Sequence, residues 1–344
     1  MKCLFLLAIL FAALLPRAAA EDSAALASAL TVQAERQLRQ GQVAQAREFL
    51  GRALASNPAH SRALYLLGHL EYSAGRWPEA AAFLEEAARV APGDFDTQFL
   101  LGALLAEMNR REQALDHLEA ANLLRPEHPD AAKLLAIEYN HLLRSRDAVR
   151  VLQPFLDPER HDEEAYLLAL DSYHKAGDKK QSRLAAETAI RLFPESGKIL
   201  GWMGYQYASS GDFAQAKEFL EKAIRLEPSD HAAYYVLADV LLKEDRHREA
   251  VRYFRLGIER KPDHGEARVG LGRALIALGH TDEALAELER ARKLLPEDPA
   301  VRLELSKLYF RLGDEDRSRA ESEEFRRLKR KADESAARDP APLQ

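Results

Sequence analysis

The chain has almost no cysteine. Cys3 is the only one in 344 residues, which excludes an internal disulfide framework and a cysteine-rich zinc site. Aromatic residues are scarce at 8%, while alanine and leucine abound, a balance that favours helix over a β-rich fold. Glycine and proline, 17 and 15 residues, are too few for a collagen-like or mucin-like stalk. There is no surplus of positive charge either. The net charge is −6, whereas a generic nucleic-acid binder is usually basic, so no nucleic-acid partner is expected. No N-x-[ST] glycosylation acceptor occurs. What remains is 47% hydrophobic and 30% charged. That is apolar enough to fold, and the chain is too long for one ordinary core.

Beyond the first residues no apolar run is long enough to cross a membrane. Residues 1–20 read as a secretory signal peptide: Lys2, an apolar run over 3–15, then three alanines at 18–20 before Glu21 and Asp22. The alternative is an uncleaved N-terminal anchor. Cys3 precedes the apolar run rather than sitting at the cleavage point, which argues against lipidation. The expected location is an exported compartment, periplasmic or secreted. Alanine richness and the preference for arginine over lysine fit a bacterial chain.

Prolines stand at 58, 92, 126, 194, 228, 262 and 296, a spacing of 34 with one double gap. Cutting at 27, 61, 95, 129, 163, 197, 231, 265 and 299 gives nine units without insertion, covering 27–332 within an array spanning 21–332. Apolar residues recur at unit positions 7, 8 and 11, then at 20, 24 and 27, which is helical spacing in two stretches. Position 15 is Gly in six units and Asn109 or Asp245 in two more, as a left-handed helix stop requires. Proline at position 32 ends the second helix. Each unit is a helical hairpin that buries its apolar face only by stacking on its neighbours.

These columns resemble the tetratricopeptide repeat. The fullest units are 61–94, with Leu64, Leu67, Gly68, Gly75, Ala80, Leu84, Ala87 and Pro92, and 197–230, with Leu200, Met203, Gly204, Tyr207, Gly211, Ala216, Leu220, Ala223 and Pro228. The resemblance implies an all-α fold, a right-handed α-solenoid superhelix of stacked helix–turn–helix repeats. It also implies a protein-binding role, with no catalysis and no cofactor.

Three units depart from the pattern. The first has Gln33 and Gln37 at apolar positions, as a terminal unit with a wet face would. The ninth, 299–332, carries Ser318, Ser322 and Arg330 and reads as a charged solubilising cap. Its basic cluster, Arg326, Arg327, Lys329, Arg330 and Lys331, suits a solvated cap face or an acidic partner. In the fourth, Pro154 falls inside the second helix, so 154–158 should be kinked or shortened, as a local variant or as a hinge between units 1–4 and 5–9. Residues 333–344 read as a disordered tail.

No catalytic motif occurs, whether H-E-x-x-H, G-x-x-x-x-G-K-[ST], G-x-G-x-x-G or G-x-S-x-G. His60, His128, His161, His231 and His264 fall at unit boundaries, where a polar residue begins the next helix. The patch from His161 to Glu164 lacks spaced ligands, so no metal is expected. RNA-reading repeats of 35 residues are excluded by the period, the acidic charge and the export signal.

In the resembled family the first helices line a concave groove through positions 2, 5, 9, 12 and 13. Its chaperone-tail binders hold a terminal carboxylate with Lys and Asn at positions 5 and 9 and Asn at position 6 of the next unit. No unit here has Asn at 6 or 9, so that specificity is not expected. The groove offers aromatics instead: Tyr65, His69 and Phe99, then Trp202, Tyr205 and Tyr235, with Asp239 and Arg273 beside them. Such surfaces suit peptide or protein partners, unless the rings are buried between hairpins. The expected function is an exported scaffold or adaptor in envelope assembly, secretion or pilus biogenesis. The alternative is the recognition subunit of an envelope enzyme complex, of glycosyltransferase or cytochrome-maturation type.

Overall fold

The computed structural model describes residues 17–338. Residues 1–16, with most of the expected signal peptide, and 339–344, the end of the expected tail, lie outside the described residues. Eighteen α-helices and no strand occur among those described. They are α1 Arg17–Arg39, α2 Val43–Ser56, α3 Ser61–Ser73, α4 Trp77–Val90, α5 Phe95–Glu107, α6 Arg111–Leu124, α7 Pro129–His141, α8 Ser145–Leu152, α9 Glu163–Lys175 and α10 Lys179–Leu192. Then come α11 Gly197–Ser210, α12 Phe213–Leu226, α13 His231–Lys243, α14 His247–Arg260, α15 Gly265–Ala277, α16 Thr281–Leu294, α17 Pro299–Arg311 and α18 Glu315–Arg338. The chain forms two compact units, Met1–Ala185 and Ala186–Gln344, divided within α10.

The turn inside every hairpin is left-handed at position 15. Gly41, Gly75, Gly177, Gly211, Gly279 and Gly313 have positive φ there, and so do Asn109, Asp245 and, at φ 59°, Leu143. Eight of the nine members of this column fit the sequence expectation; Leu143 is the member it missed. Two helices can then close because position 8 is small. A Cβ on Gly68 would lie 2.6 Å from Leu84 Cγ, and one on Gly102 2.7 Å from Leu118 Cγ. The leucine at position 24 fills the place of the missing side chain.

Position 34 caps the next first helix in every hairpin junction but that of His264, whose side chain makes no cap bond. Asp94 Oδ2 accepts from the Thr97 amide at 3.0 Å, Asp162 Oδ1 from Ala165 at 3.0 Å and Ser196 Oγ from Ile199 at 3.1 Å. His60 and His128 do the same through Nδ1, to Ala63 at 3.2 Å and Ala131 at 3.3 Å. These side chains satisfy amides that have no partner within their helix.

Within each unit the second helix packs on the following first helix, and successive first helices also touch: α1 with α3, α3 with α5, α5 with α7 and α7 with α9, then α11 with α13, α13 with α15 and α15 with α17. The first helices therefore form the closer-packed layer. In the second unit most of the buried apolar residues join one cluster running from Leu200 to Tyr309.

The irregular units have physical reasons. Pro154 has no amide hydrogen to donate, and α8 stops at Leu152, giving way to 3₁₀ turns at Gln153–Phe155 and Pro158–Arg160. Phe155, 1% exposed, packs with Ala132 and Ala165, and the Tyr166 hydroxyl donates to Leu156 O at 2.6 Å. The gap left by the shortened helix is thus filled, and the compact units divide some thirty residues later, not at this kink. In the last hairpin Ser306 Oγ donates to Ser318 O at 3.0 Å and lies 2.6 Å from Ser322 Oγ, while Ser318 Oγ returns a bond to Ser306 O at 3.0 Å. Hydrogen bonds replace the Gly–Leu fit there. The last helix, α18, runs to Arg338, past the expected start of the tail at 333, and 333–338 carries no proline or glycine to stop it.

Candidate functional site

The first-helix layer of the second unit contains a cleft of about 430 Å³. It opens where the position-5 column loses its side chain. Tyr65, Phe99 and Tyr235 occupy that position in other hairpins, but here it is Gly201. Trp202, Tyr205, Ala232, Ala233 and Val236 supply apolar walls. Lys198, Glu227, Ser229 and Asp230 supply the polar rim. Tyr205 is 43% exposed, unusual for a tyrosine on a packed helix, and Trp202 is half-buried.

Asp230 serves two directions. Its Oδ1 accepts the Ala232 amide at 2.9 Å and so caps α13. Its Oδ2 faces the notch, 3.6 Å from where a Gly201 Cβ would stand. Glu227 folds its stem over Gly197, which has no side chain to displace it.

The other expected site residues divide between surface and junction. Tyr235 does not line the cleft. It is half-buried against His264, ring centroids 4.9 Å apart, and Phe254, 6.2 Å apart. Burial raises its hydroxyl pKa, with Asp239, Glu266 and Tyr205 adding to the rise and Arg273 opposing it. Tyr205 and Tyr235 are thus neighbours, as their columns imply, but only Tyr205 presents its ring. Asp239 pairs with Lys243 at 2.8 Å, and Arg273 with the buried Glu304 at 3.0 Å.

In the first unit Tyr65 is half-buried beneath the Arg62 guanidinium, 5.2 Å from its ring, and Arg62 is itself held by Glu35 at 2.8 Å. Exposed His69 lies 6.2 Å from Tyr65, ring to ring. Phe99 stacks on Phe95 at 5.7 Å and lies 5.6 Å from His128. Tyr65 and Phe99 are therefore junction residues, and the structure does not make an open aromatic strip of them. The reason is geometric: position 5 sits at the edge between neighbouring first helices, so a large ring there folds into the seam. The sequence reading missed Gly201, Lys198, Glu227 and Asp230. The signal was present in the position-5 column, where a lone glycine interrupts bulky residues.

Among the described residues no group of three or more His, Cys, Asp or Glu could hold a metal ion, and no helix is long and apolar enough to cross a membrane.

Two tetratricopeptide-repeat family models match the chain. One matches residues 31–95 and 269–336, and the other 71–137, 207–261 and 241–294. Together they span more than half of it. No curated protein matches. Among solved structures the chain is similar to the Cut9–Hcn1 hetero-tetramer of the APC/C, with TM-score 0.57 and 19% identity, covering 84% of this chain and 57% of that one. It thus spans little more than half the length of that relative. A tetratricopeptide repeat protein from Parabacteroides merdae matches with TM-score 0.55 and 18% identity, over 72% of this chain and 98% of that one. PilW, a type IV pilus biogenesis factor, matches with TM-score 0.51 and 17% identity, over 56% of this chain and 90% of that one. Identities this low speak for the fold alone.

Proposed function

Because the chain belongs to the tetratricopeptide-repeat family, we propose that it is a non-catalytic scaffold that binds a peptide or protein partner on its first-helix face, at the cleft of α11 and α13. The observation that carries this reading is the outward-facing pair Trp202 and Tyr205 beside the Gly201 notch. Large aromatics at a recessed, partly desolvated site carry a disproportionate share of binding energy, often about 2 kcal/mol or more each. A photo-crosslinker at position 205 should capture the partner from the native cell fraction. Trp202→Ala with Tyr205→Ala should abolish that capture with helicity unchanged. Normal capture by the double variant would move the site elsewhere on the first helices or to the basic cluster of α18.

The scaffold acts, in this proposal, after export. The basis is the signal-like layout of residues 1–20, and the processes it fits are envelope assembly, secretion or pilus biogenesis. PilW's description agrees with the last of these, although the likeness to it concerns the fold. N-terminal sequencing of the native protein should begin at Glu21. Recovery of Met1 on a membrane-bound form would overturn the soluble exported state.

A further inference from the structure

We propose that the Gly201 notch receives a basic side chain, lysine or arginine, projecting from the bound peptide. The proposal rests on the cleft being the partner site and adds what it selects.

The argument starts from the walls. Trp202 and Tyr205 are three residues apart on α11 and line the same cleft. Aromatic faces attract cations through the ring quadrupole, tryptophan and tyrosine most of all. The end of the notch is acidic. Asp230 Oδ2 is aimed at it, since Oδ1 already serves the cap of α13. Glu227 lines the same cleft. A long aliphatic stem with a terminal charge matches this order, with apolar wall first and carboxylate behind. A phenyl or leucyl side chain would fit the walls but set an apolar end against two carboxylates, removing water from them without replacing its hydrogen bonds. An acidic side chain would meet like charge. Lys198 lines the cleft as well; its ammonium repels a basic ligand, so it tunes affinity downward, leaving two negative charges against one positive.

The position-5 column gives the reason for Gly201. A Cβ there would meet nothing closer than Asp230 Oδ2 at 3.6 Å and Ala223 Cβ at 3.8 Å. Packing therefore does not demand glycine at this position, in contrast to Gly204 on the same helix, where Leu220 intrudes. A larger side chain is not needed to fill a tight fit here, and the room that its absence leaves is part of the cleft.

The test uses the two tryptophans, Trp77 and Trp202. In the full chain carrying Trp77→Phe, fluorescence reports Trp202 alone. End-blocked nonapeptides of Gly and Ser with one central Arg, Lys, Leu, Phe or Glu are titrated against it. The Arg and Lys peptides should bind at least about tenfold tighter than the other three, a gap of the size that cation–π and charge contacts supply. Asp230→Asn with Glu227→Gln keeps the α13 cap, because asparagine also caps well, and should erase that preference. Lys198→Ala should strengthen binding of the Arg peptide. Gly201→Tyr, the residue that Tyr65 and Tyr235 place in this column, should fill the notch and abolish binding while the circular dichroism spectrum is retained. Equal or tighter binding of the Leu or Phe peptide overturns the basic-side-chain selection and leaves the cleft as partner site intact. If no peptide perturbs Trp202, the proposal is overturned, and the partner-site reading then stands or falls on the crosslinking result with Trp202→Ala and Tyr205→Ala.

Discussion

Leu220 occupies the space that a side chain on Gly204 would need. Its branched end lies under the α11 backbone and locks α12 against it. Gly201, one turn earlier, has room for a Cβ, which would meet Asp230 Oδ2 and Ala223 Cβ only at ordinary contact distances of 3.6 and 3.8 Å.

Alanine at these two glycines should therefore act with opposite sign. Gly204→Ala forces Leu220 or the helix crossing to shift and should cost about 1–3 kcal/mol by overpacking. Gly201→Ala gains helix propensity without a clash and should stabilise by up to about 1 kcal/mol. Denaturant unfolding measures both. In a stacked array the loss belongs to the hairpin and its neighbours, so hydrogen exchange should place the Gly204→Ala effect in 197–230 and the hairpins beside it. Loss spread evenly over 197–332 would show a single cooperative core.

Leu143 is the one β-unbranched apolar residue in the left-handed column, and it is 73% exposed. Its conformation costs roughly 1–2 kcal/mol relative to glycine, and little packing offsets that. Leu143→Gly should raise the stability of the first unit by about 1 kcal/mol. A loss of stability would mean that the leucine makes contacts its exposure does not suggest.

The His60 cap makes the first unit acid-sensitive. His60 Nδ1 can accept the Ala63 amide only when unprotonated. Burial holds the His60 pKa below its ordinary 6.5, against a backbone hydrogen bond that raises it. A lowered histidine pKa means that the unfolded chain takes the proton more readily. The cap's contribution is then fully present above about pH 6.5 and declines as pH falls below it. Loss of a cap is worth about 1 kcal/mol. Protection of α3 amides, corrected for intrinsic exchange, should fall between pH 7.5 and 5.5. His60→Asp, the residue found at the matching positions 94, 162, 230 and 298, should remove that dependence.

Glu71 is 4% exposed at position 11, where most units carry an apolar residue. Arg47 and Arg76 both ion-pair with it. Burial pushes its carboxyl up, and the two arginines more than reverse this, leaving the pKa lowered. Replacing both arginines with alanine strands the buried charge and should cost about 3–5 kcal/mol. Glu71→Leu restores the column and should be neutral or stabilising, since the two arginines are 41% and 47% exposed and stay hydrated. Thermal unfolding of the two variants separates these outcomes. If Glu71→Leu proves as damaging as the double arginine change, the carboxylate is needed for more than charge balance.

The repeat made much of the fold legible. Position 15 announces eight of the nine left-handed hairpin turns because only a few residues tolerate that backbone, and Leu143 was missed because it breaks this rule. Position 8 and position 24 announce the helix crossing because they must share one volume. The buried carboxylates were not legible. Glu71, Glu138 and Glu304 find their arginines 24, 27 and 31 residues back, in the preceding hairpin, at no fixed column. The site was only partly legible. A column tells which helix face a ring leaves from and not whether it turns into the seam, so its rings divide between exposed Tyr205 and the junction residues Phe99 and Tyr235. The cleft itself comes from an absent side chain, which a search for aromatic residues passes over.

The serine closure of the last hairpin bears on how the array ends. Hairpins of this kind stack on one another through nearly identical surfaces, and a head-to-tail contact that does not close on itself grows into a fibre. An exposed copy of that surface at the C-terminus would offer each molecule a seat for the next. Here Ser306, Ser318 and Ser322 turn their polar groups on each other, and α18 faces outward with Glu323, Arg326, Lys329 and Arg330 exposed. A further hairpin landing on α18 would have to strip water from those charges. Growth of the array across α18 is opposed by these charges, and Phe310, 70% exposed, and Leu312, 44% exposed, are the large apolar residues the last hairpin leaves at its surface.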